Sequence, residues 1–335
     1  MILIDSLYIN DSGGLELLKY LVEYFESNSK IYAYYLFDSR CSEVFSDIPK
    51  TRKTILKASQ FNRYKFYNKN ITKFDKIFCF GNTPPIKKTA AIVYTYFHNI
   101  NFLIIPQDIS LKIKILIKLK LQYIKILKRN TDFWIVQTDN TKNALVQNFN
   151  EKKSKILILP FFKIEELRNE VSLLKTDYIF VAIYQKPKNH FNLIRAWSIL
   201  FDLGFTPTLH ITLSKMPEEL NQLISECITR GVKIVNHGFI PKTDLRKLYS
   251  ISKATIYPSI NESLGLGIVE ALNYGCDLIG ADLPYIHSIS NPSAVFNPYN
   301  VNTIVDAVIK YESGVCPKSN LKVNNEIDNL LDLFK

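Results

Sequence analysis

The stretch NESLGLGIVEALNYGC at 261–276 places two carboxylates, Glu262 and Glu270, around two of the chain's eleven glycines. The strand-like run ATIYPSI precedes it. Apolar Leu264, Ile268, Ala271 and Leu272 then recur at helical spacing, so the segment reads as strand, turn and helix, with Ser263 at the N-cap position. Gly265 and Gly267 in the first turns cost a helix about 1 kcal/mol each relative to alanine, so a compensating role is expected. Free amides at Gly265 and Leu266, with missing side chains beside them, make an anion site suited to a phosphate. Glu262 lies just before this terminus and Glu270 roughly 10 Å further along the axis. That span suits one carboxylate on a sugar and the other on a ribose, with a diphosphate between. The plainer use is that Glu262 complements the helix dipole and Glu270 is a solvated surface acid.

Other candidates are scattered along the chain. Lys186 and Lys188 flank Pro187 after a strand-like run, as a solvated loop or as partners of an anion. Gly13 and Gly14 follow the first strand in DSGGLE, which lacks the G-x-G-x-x-G spacing of a dinucleotide loop and is explained equally by a tight turn. His98 ends the run IVYTYFHN, at a strand's carboxyl end, where a histidine is either structural or placed to meet a ligand. His190, His210, His237 and His287 carry weaker claims, and His210, inside PTLHITL, reads as a core or edge residue. In SLKIKILIKLKLQYIKILKR, 110–129, the cations Lys114, Lys118, Lys125, Lys128 and Arg129 project onto one arc of about 100°, while Lys112 and Lys120 lie off it. This is either a core-packed helix with a solvated basic face or a helix resting on an anionic membrane.

These residues need a scaffold, and the alternation of short β-rich runs with helical patterns supplies one. MILIDSLYI, KIYAYYLFD, KIFCFGN, AIVYTYFHN, FWIVQTD and KILILP mark a first parallel α/β sheet. YIFVAIYQ, PTLHITLS, KIVNHGFI, ATIYPSI and CDLIGADL mark a second, beginning near 176. The charged segment after Pro160, FFKIEELRNEVSLLKTD, reads as the linker. With 335 residues the chain is long enough for two cores, and open α/β sheets bind ligands at the carboxyl ends of their strands. Residues 1–160 hold 25 Lys+Arg against 13 Asp+Glu, a balance of +12, while 161–335 hold 17 against 18. A basic half points to an anionic partner: nucleic acid, a phosphorylated ligand or a membrane surface. The five cysteines, Cys41, Cys79, Cys227, Cys276 and Cys316, have no C-x-x-C or metal-ligand spacing and read as reduced thiols. The start MILIDSLYIND reads as neither a signal peptide nor a membrane span, so a cytoplasmic location is expected.

PSINESLGLGIVEALNYGCDLIGADLP resembles the E-x7-E region of the group 1 retaining glycosyltransferases. DSGGLELLKYL, FGNTPP, YFHN, WIVQTDNTKNAL, KPKNHFNLIRAW and HGFIPKTDLRKLYSISKATIYPS resemble, in order, further segments of members that build bacterial surface polysaccharides such as O-antigen and capsule. The resemblance implies a GT-B fold: two Rossmann-like parallel-sheet domains facing across a cleft, 1–165 on the acceptor side and 166–318 for the donor, with 319–335 packing back on the first. It implies transfer, with retention, of a sugar from a nucleoside-diphosphate sugar to a lipid-linked saccharide, without cofactor or metal. Glu262 would contact sugar hydroxyls, Glu270 the ribose, and Ser263, Gly265 and Leu266 the sugar or diphosphate, which Lys188 neutralises. An arginine usually precedes that lysine; here Lys186 would take its place, with Gln185 the weaker candidate. Gly13 and Gly14 would approach the diphosphate or acceptor, His98 the donor sugar, and Asn82 and Asn99 the acceptor side.

Two other readings compete: a sugar-nucleotide epimerase or glycogen-synthase-like enzyme on the same fold, and a catalytically silent subunit binding a partner transferase or nucleic acid. Nucleic-acid binding predicts salt-sensitive affinity for oligonucleotides; the transferase reading expects no nucleic-acid partner. It expects instead a nucleotide sugar, a lipid-linked acceptor and, through 110–129, the inner face of the cytoplasmic membrane.

Overall fold

The computed structural model describes residues 1–28, 31–106, 109–163 and 175–335. The linker segment read from the sequence falls largely on 164–174, outside the described residues. The described residues form two units, the first from 1–105, 110–163 and 324–335, the second from the remainder up to 323.

The first unit is built on β1 (Ile2–Asp5), β2 (Ala33–Asp38), β3 (Lys53–Leu56), β4 (Lys76–Cys79), β5 (Ile92–Tyr96), β6 (Phe133–Val136) and β7 (Ile156–Ile158). All pairs are parallel, in the order β3-β2-β1-β4-β5-β6-β7. Strands such as β1 and β6 are apolar almost throughout because helices cover both faces of a parallel sheet. Those helices are α1 (Ser12–Ser27), α2 (Gln60–Asn70), α3 (Leu111–Leu127) and α4 (Asp139–Phe149). Helix α2 packs Phe66 and Tyr67 against Leu3, Leu36 and Ile77. Helices α3 and α4 pack Leu121, Ile124, Leu145 and Phe149 around Trp134.

The second unit carries β8 (Asp177–Phe180), β9 (Leu209–Ile211), β10 (Ile234–Asn236), β11 (Ser252–Tyr257), β12 (Asp277–Ala281), the short β13 (Ser290–Asn291) and β14 (Ala294–Phe296). Six of these form a parallel sheet in the order β10-β9-β8-β11-β12-β14; β13 pairs antiparallel with β15 (Asn320–Leu321). Its helices are α5 (His190–Asp202), α6 (Glu218–Thr229), α7 (Lys242–Ile251), α8 (Leu266–Asn273), α9 (Pro284–Ile289) and α10 (Val301–Glu312).

The chain then returns to the first unit as α11 (Ile327–Asp332). The Glu326 amide donates to the Pro160 carbonyl at 2.7 Å, Asn325 Nδ2 donates to Tyr20 Oη at 2.9 Å, and Tyr24 donates to Asp328. The Phe334 ring packs 5.3 Å from both Phe78 and Tyr94. Among the described residues all five cysteines are free, and four are buried.

In each sheet the strand order reverses direction at one point, between β1 and β4 in the first and between β8 and β11 in the second. At such a switch point the flanking loops run to opposite faces and leave a crevice beyond the strands' carboxyl ends. The loop after β1 leads into α1, whose first turn holds Gly13 and Gly14, and the loop after β4 carries Asn82. The loops after β8 and β11 carry Lys186, Lys188 and Glu262.

Candidate functional site

In the second unit, the loop after β8 closes as a single 3-10 turn at Lys186–Lys188, and Asn189 follows in the left-handed conformation, φ +60°. Asn189 Nδ2 donates to the Pro298 carbonyl at 2.7 Å, which anchors the turn to the loop after β14. Lys188 then reaches across to Glu262, and the two form an ion pair with side chains only 18% and 13% exposed. At such burial the pair is screened far less than a surface contact. The Tyr257 phenol joins it, donating to Glu262 Oε1 at 3.4 Å, while Lys188 Nζ stands 6.0 Å from the Tyr257 ring centroid. Burial, reinforced by the Glu262 charge, pushes the Tyr257 hydroxyl well above its ordinary range, so it remains a donor. Lys186 lies exposed in the same turn, without an ion pair among the described residues.

Helix α8 begins two residues later than its sequence implies. Gly265, not Ser263, is the N-cap, with φ +59°, and the helix starts at Leu266. Ser263 precedes the cap in the loop. The left-handed cap explains the glycine: a Cβ there would stand 3.0 Å from Ile268 Cδ1. Gly267 also departs from its expected role. The Val181 carbonyl and the Tyr257 ring fill the room beside it, each 3.4 Å from where a Cβ would stand, so this glycine lets α8 sit against the end of β8. The amides of Leu266 and Gly267 have no backbone acceptor among the described residues, which leaves the helix N-terminus beside Glu262 able to take an anion.

Glu270 is not a freely solvated acid. It is half-buried on α8 and accepts from the Tyr249 phenol of α7 at 3.4 Å. Tyr257 and Tyr249 are invisible as site residues in the sequence because each reads as an ordinary buried aromatic. The only signal is their position, one ending the strand before PSINES and the other ending the helix before that strand.

In the first unit, Asn82, His98, Asn99 and Gly14 come together. Asn82 Oδ1 accepts the amides of His98 at 2.7 Å and Asn99 at 2.9 Å. His98 Nε2 is 3.7 Å from where a Cβ on Gly14 would stand, so the N-terminus of α1 lies directly against the imidazole. Gly13 belongs to the first turn of the same helix. Burial, helped by the Lys120 charge, pulls the His98 pKa down to about 4, so the ring is neutral at ordinary pH. His190 opens α5 fully buried against Phe180 and Tyr184, and burial followed by Lys188 lowers it to about 3.

The remaining histidines lie apart from these groups. His210 is a buried β9 residue that pairs with Asp177 at 3.0 Å and His237 at 2.9 Å. His287 pairs with Asp282 at 2.7 Å. Helix α3 buries Leu121, Ile124 and Leu127 but leaves Leu111, Ile115, Leu116, Leu119 and Ile126 exposed. Lys120, off the basic arc, stands 4.3 Å over the Phe102 ring. Among the described residues no helix is long and apolar enough to cross a membrane.

Residues 163–326 match the family model described as Glycosyl transferases group 1. Over 147 residues the chain is 26% identical to the serotype-specific mannosyltransferase WbdA of Escherichia coli. That match takes in 42% of this chain but 18% of WbdA, less than a fifth of the relative's length. Among solved structures the fold is similar to the lipopolysaccharide outer core galactosyltransferase WaaB in its apo form, with TM-score 0.65 and 14% identity, over 99% of this chain and 94% of that one. It is also similar to Anabaena HepE in complex with UDP, with TM-score 0.69 and 14% identity, over 93% and 89% of the two chains. At these identities the structural likeness speaks for the fold.

Proposed function

The chain belongs, through residues 163–326, to the glycosyl transferases group 1 family, and from that premise we propose that it is a retaining glycosyltransferase that moves a sugar from a nucleoside-diphosphate sugar to a lipid-linked saccharide in surface-polysaccharide synthesis. The observation that carries the reading is the Lys188–Glu262 pair, held at a switch point beside the N-terminus of α8. A cation, two helix amides and a carboxylate within one loop cluster offer complementary partners for a diphosphate and a sugar hydroxyl.

In the proposed reaction the acceptor hydroxyl oxygen bonds to the anomeric carbon as the bond from that carbon to the β-phosphate oxygen breaks. The electron pair leaves with the diphosphate, where Lys188 and the Leu266 and Gly267 amides stabilise it. The acceptor proton passes to a β-phosphate oxygen. Glu262 orients sugar hydroxyls, Glu270 the ribose, and Lys186 supplies a second positive charge from its exposed place in the turn. In the first unit, the Gly13 and Gly14 amides at the start of α1 serve the diphosphate or acceptor, the neutral His98 imidazole serves the donor sugar, and Asn82 and Asn99 lie on the acceptor side. This scheme uses no metal. The exposed apolar and basic faces of α3 support docking on an anionic membrane, where a lipid-linked acceptor resides.

The experiment is a thermal-shift panel of UDP-, GDP-, ADP- and CMP-sugars. A ligand that binds the folded chain raises its Tm, by about 2.7 kcal/mol of stabilisation at a hundredfold excess over Kd. At least one donor should do so, and the response should vanish in Glu262→Ala. A flat response across the panel overturns the reading in favour of a silent subunit.

A further inference from the structure

Asn82 sits just beyond β4 with φ +62°, a left-handed backbone that asparagine tolerates better than other residues bearing a Cβ. Its carboxamide oxygen accepts two backbone amides, from His98 at 2.7 Å and Asn99 at 2.9 Å. Those two donors decide which end of the carboxamide is oxygen. The nitrogen therefore faces the imidazole, with Nδ2 3.4 Å from His98 Nε2.

A carboxamide nitrogen has only hydrogens to offer. A protonated Nε2 would set two donors against one another, whereas an unprotonated Nε2 presents its lone pair to Nδ2. The ring is neutral, because burial and Lys120 depress its pKa, and a neutral imidazole carries one proton. That proton is left to Nδ1. Among the described residues Nδ1 is buried and has no hydrogen-bond partner. A buried N–H without an acceptor is destabilising, and a ligand oxygen would relieve it. The ring cannot easily turn to find another partner, since Phe80 and Tyr96 pack 5.5 and 5.4 Å from its centroid.

The segment that carries Asn82 is itself braced. The Arg63 guanidinium donates to the carbonyls of Thr83 and Pro84, both at 2.9 Å, and pairs with Asp5 of β1 at 2.8 Å, with both side chains buried. Tyr67 donates to the same Asp5 oxygen at 2.7 Å.

We propose that Asn82 is a positioning residue that locks His98 in the Nδ1–H tautomer, making Nδ1 a hydrogen-bond donor to an acceptor oxygen of a bound saccharide. The saccharide rests on the transferase reading; the tautomer rests on the contacts of Asn82 and on the neutrality of the buried ring.

The test uses the full chain labelled with 15N-histidine, with long-range 1H–15N correlation at pH 8 and His98 assigned by the signals lost in His98→Gln. The native chain should show a protonated Nδ1 and an unprotonated Nε2. Asn82→Asp keeps an acceptor for the two amides and tolerates φ above zero, but replaces the donor facing Nε2 by a second acceptor. It should switch His98 to the Nε2–H tautomer and lower kcat by about tenfold or more, with dispersed backbone amides showing that the fold persists. Asn82→Gly keeps the backbone freedom and loses the carboxamide, and should leave a mixture of tautomers. A native Nε2–H tautomer, or an unchanged Nδ1–H tautomer in Asn82→Asp, overturns the proposal. If the tautomers behave as expected but the native chain binds and turns over no nucleotide sugar, the transferase reading fails and the Asn82 lock stands.

Discussion

The Ile260 amide donates to the Pro187 carbonyl at 2.7 Å, tying the loop after β11 to the turn after β8. This bond brings Lys188 and Glu262 side by side although they are 74 residues apart in the chain. It also sets a testable dependence between them. Lys188→Met retains the apolar stem but leaves Glu262, half-buried, with the weaker Tyr257 bond. We expect it to destabilise the fold by on the order of 1–2 kcal/mol, and Glu262→Gln to cost a comparable amount by stranding Lys188. The double variant should recover about 1 kcal/mol of the summed losses in urea unfolding. Simple additivity would show that the pair is not coupled. Both single variants should abolish sugar transfer while remaining folded.

The left-handed cap of α8 offers a separate test. Gly265→Ala forces a Cβ into the αL region and to within 3.0 Å of Ile268 Cδ1. The expected loss is about 1–2 kcal/mol, a Tm lower by several degrees, together with weaker binding of whichever donor the thermal-shift panel identifies. Gly275→Ala, also at positive φ and at the other end of the helix, controls for backbone strain alone. It should lower the Tm similarly and leave donor affinity unchanged. Equal effects of both variants on affinity would remove α8's N-terminus from the site.

Much of this arrangement is legible in the sequence because parallel strands covered on both faces must be apolar along their length, and each of the central strands announces itself that way. The switch points follow from strand order, which the sequence leaves open. So Glu262 and Lys188 can be singled out separately, whereas their pairing requires the fold. Ser263 looks like the cap because serine before an apolar periodic run usually is one. The actual cap is Gly265, whose left-handed backbone and whose crowding by Ile268 and the Tyr257 hydroxyl only the packed structure reveals. Gly267 departs from expectation for a related reason. A missing side chain can admit a ligand or a neighbouring backbone, and here it is the Val181 carbonyl that approaches. Asn82 owes its place to one left-handed φ and two amides beyond β5, neither of which leaves a trace in local pattern.

Acid should destabilise the chain partly through His190. Burial first, and the Lys188 charge second, lower its folded pKa to about 3, whereas in the unfolded chain the ordinary value of about 6.5 returns. Below pH 6.5 the unfolded state therefore binds the proton more readily. The stability that neutral His190 contributes is complete above pH 6.5 and is lost as pH falls from there toward 3. At pH 5 the loss is about 2 kcal/mol, on the order of 1.4 kcal/mol for each unit below the unfolded pKa. The measurement is urea unfolding of the native chain and His190→Gln at pH 7 and pH 5. The native chain should lose more stability between the two pH values than the variant. Equal losses would mean that His190 does not titrate differently in the two states.

Helix α3 shows more than a solvated basic face, and this decides how the proposed membrane docking should be tested. On a helical projection Leu111, Ile115, Leu119 and Ile126 share an arc of about 80°, and Lys114, Lys118 and Lys125 fill the arc beside it. Leu111, Leu119 and Ile126 are 73%, 62% and 64% exposed. An apolar strip flanked by cations is suited to lie at an anionic lipid surface, where each lysine contributes about 1 kcal/mol and the attraction weakens with salt. The native chain should therefore float with vesicles rich in phosphatidylglycerol and not with phosphatidylcholine alone. Reversing Lys114, Lys118 and Lys125 to Glu should lower the vesicle affinity by about a hundredfold or more, three contributions of roughly 1 kcal/mol each being removed. Ile115→Ser with Leu119→Ser should lower it too, and should do so at high salt as well as low, because that part of the attraction is apolar. Binding that disappears in the charge variant but is untouched by the serine pair would place only the lysines at the lipid. No binding by the native chain would leave the strip to another partner and remove the membrane from the proposed reaction.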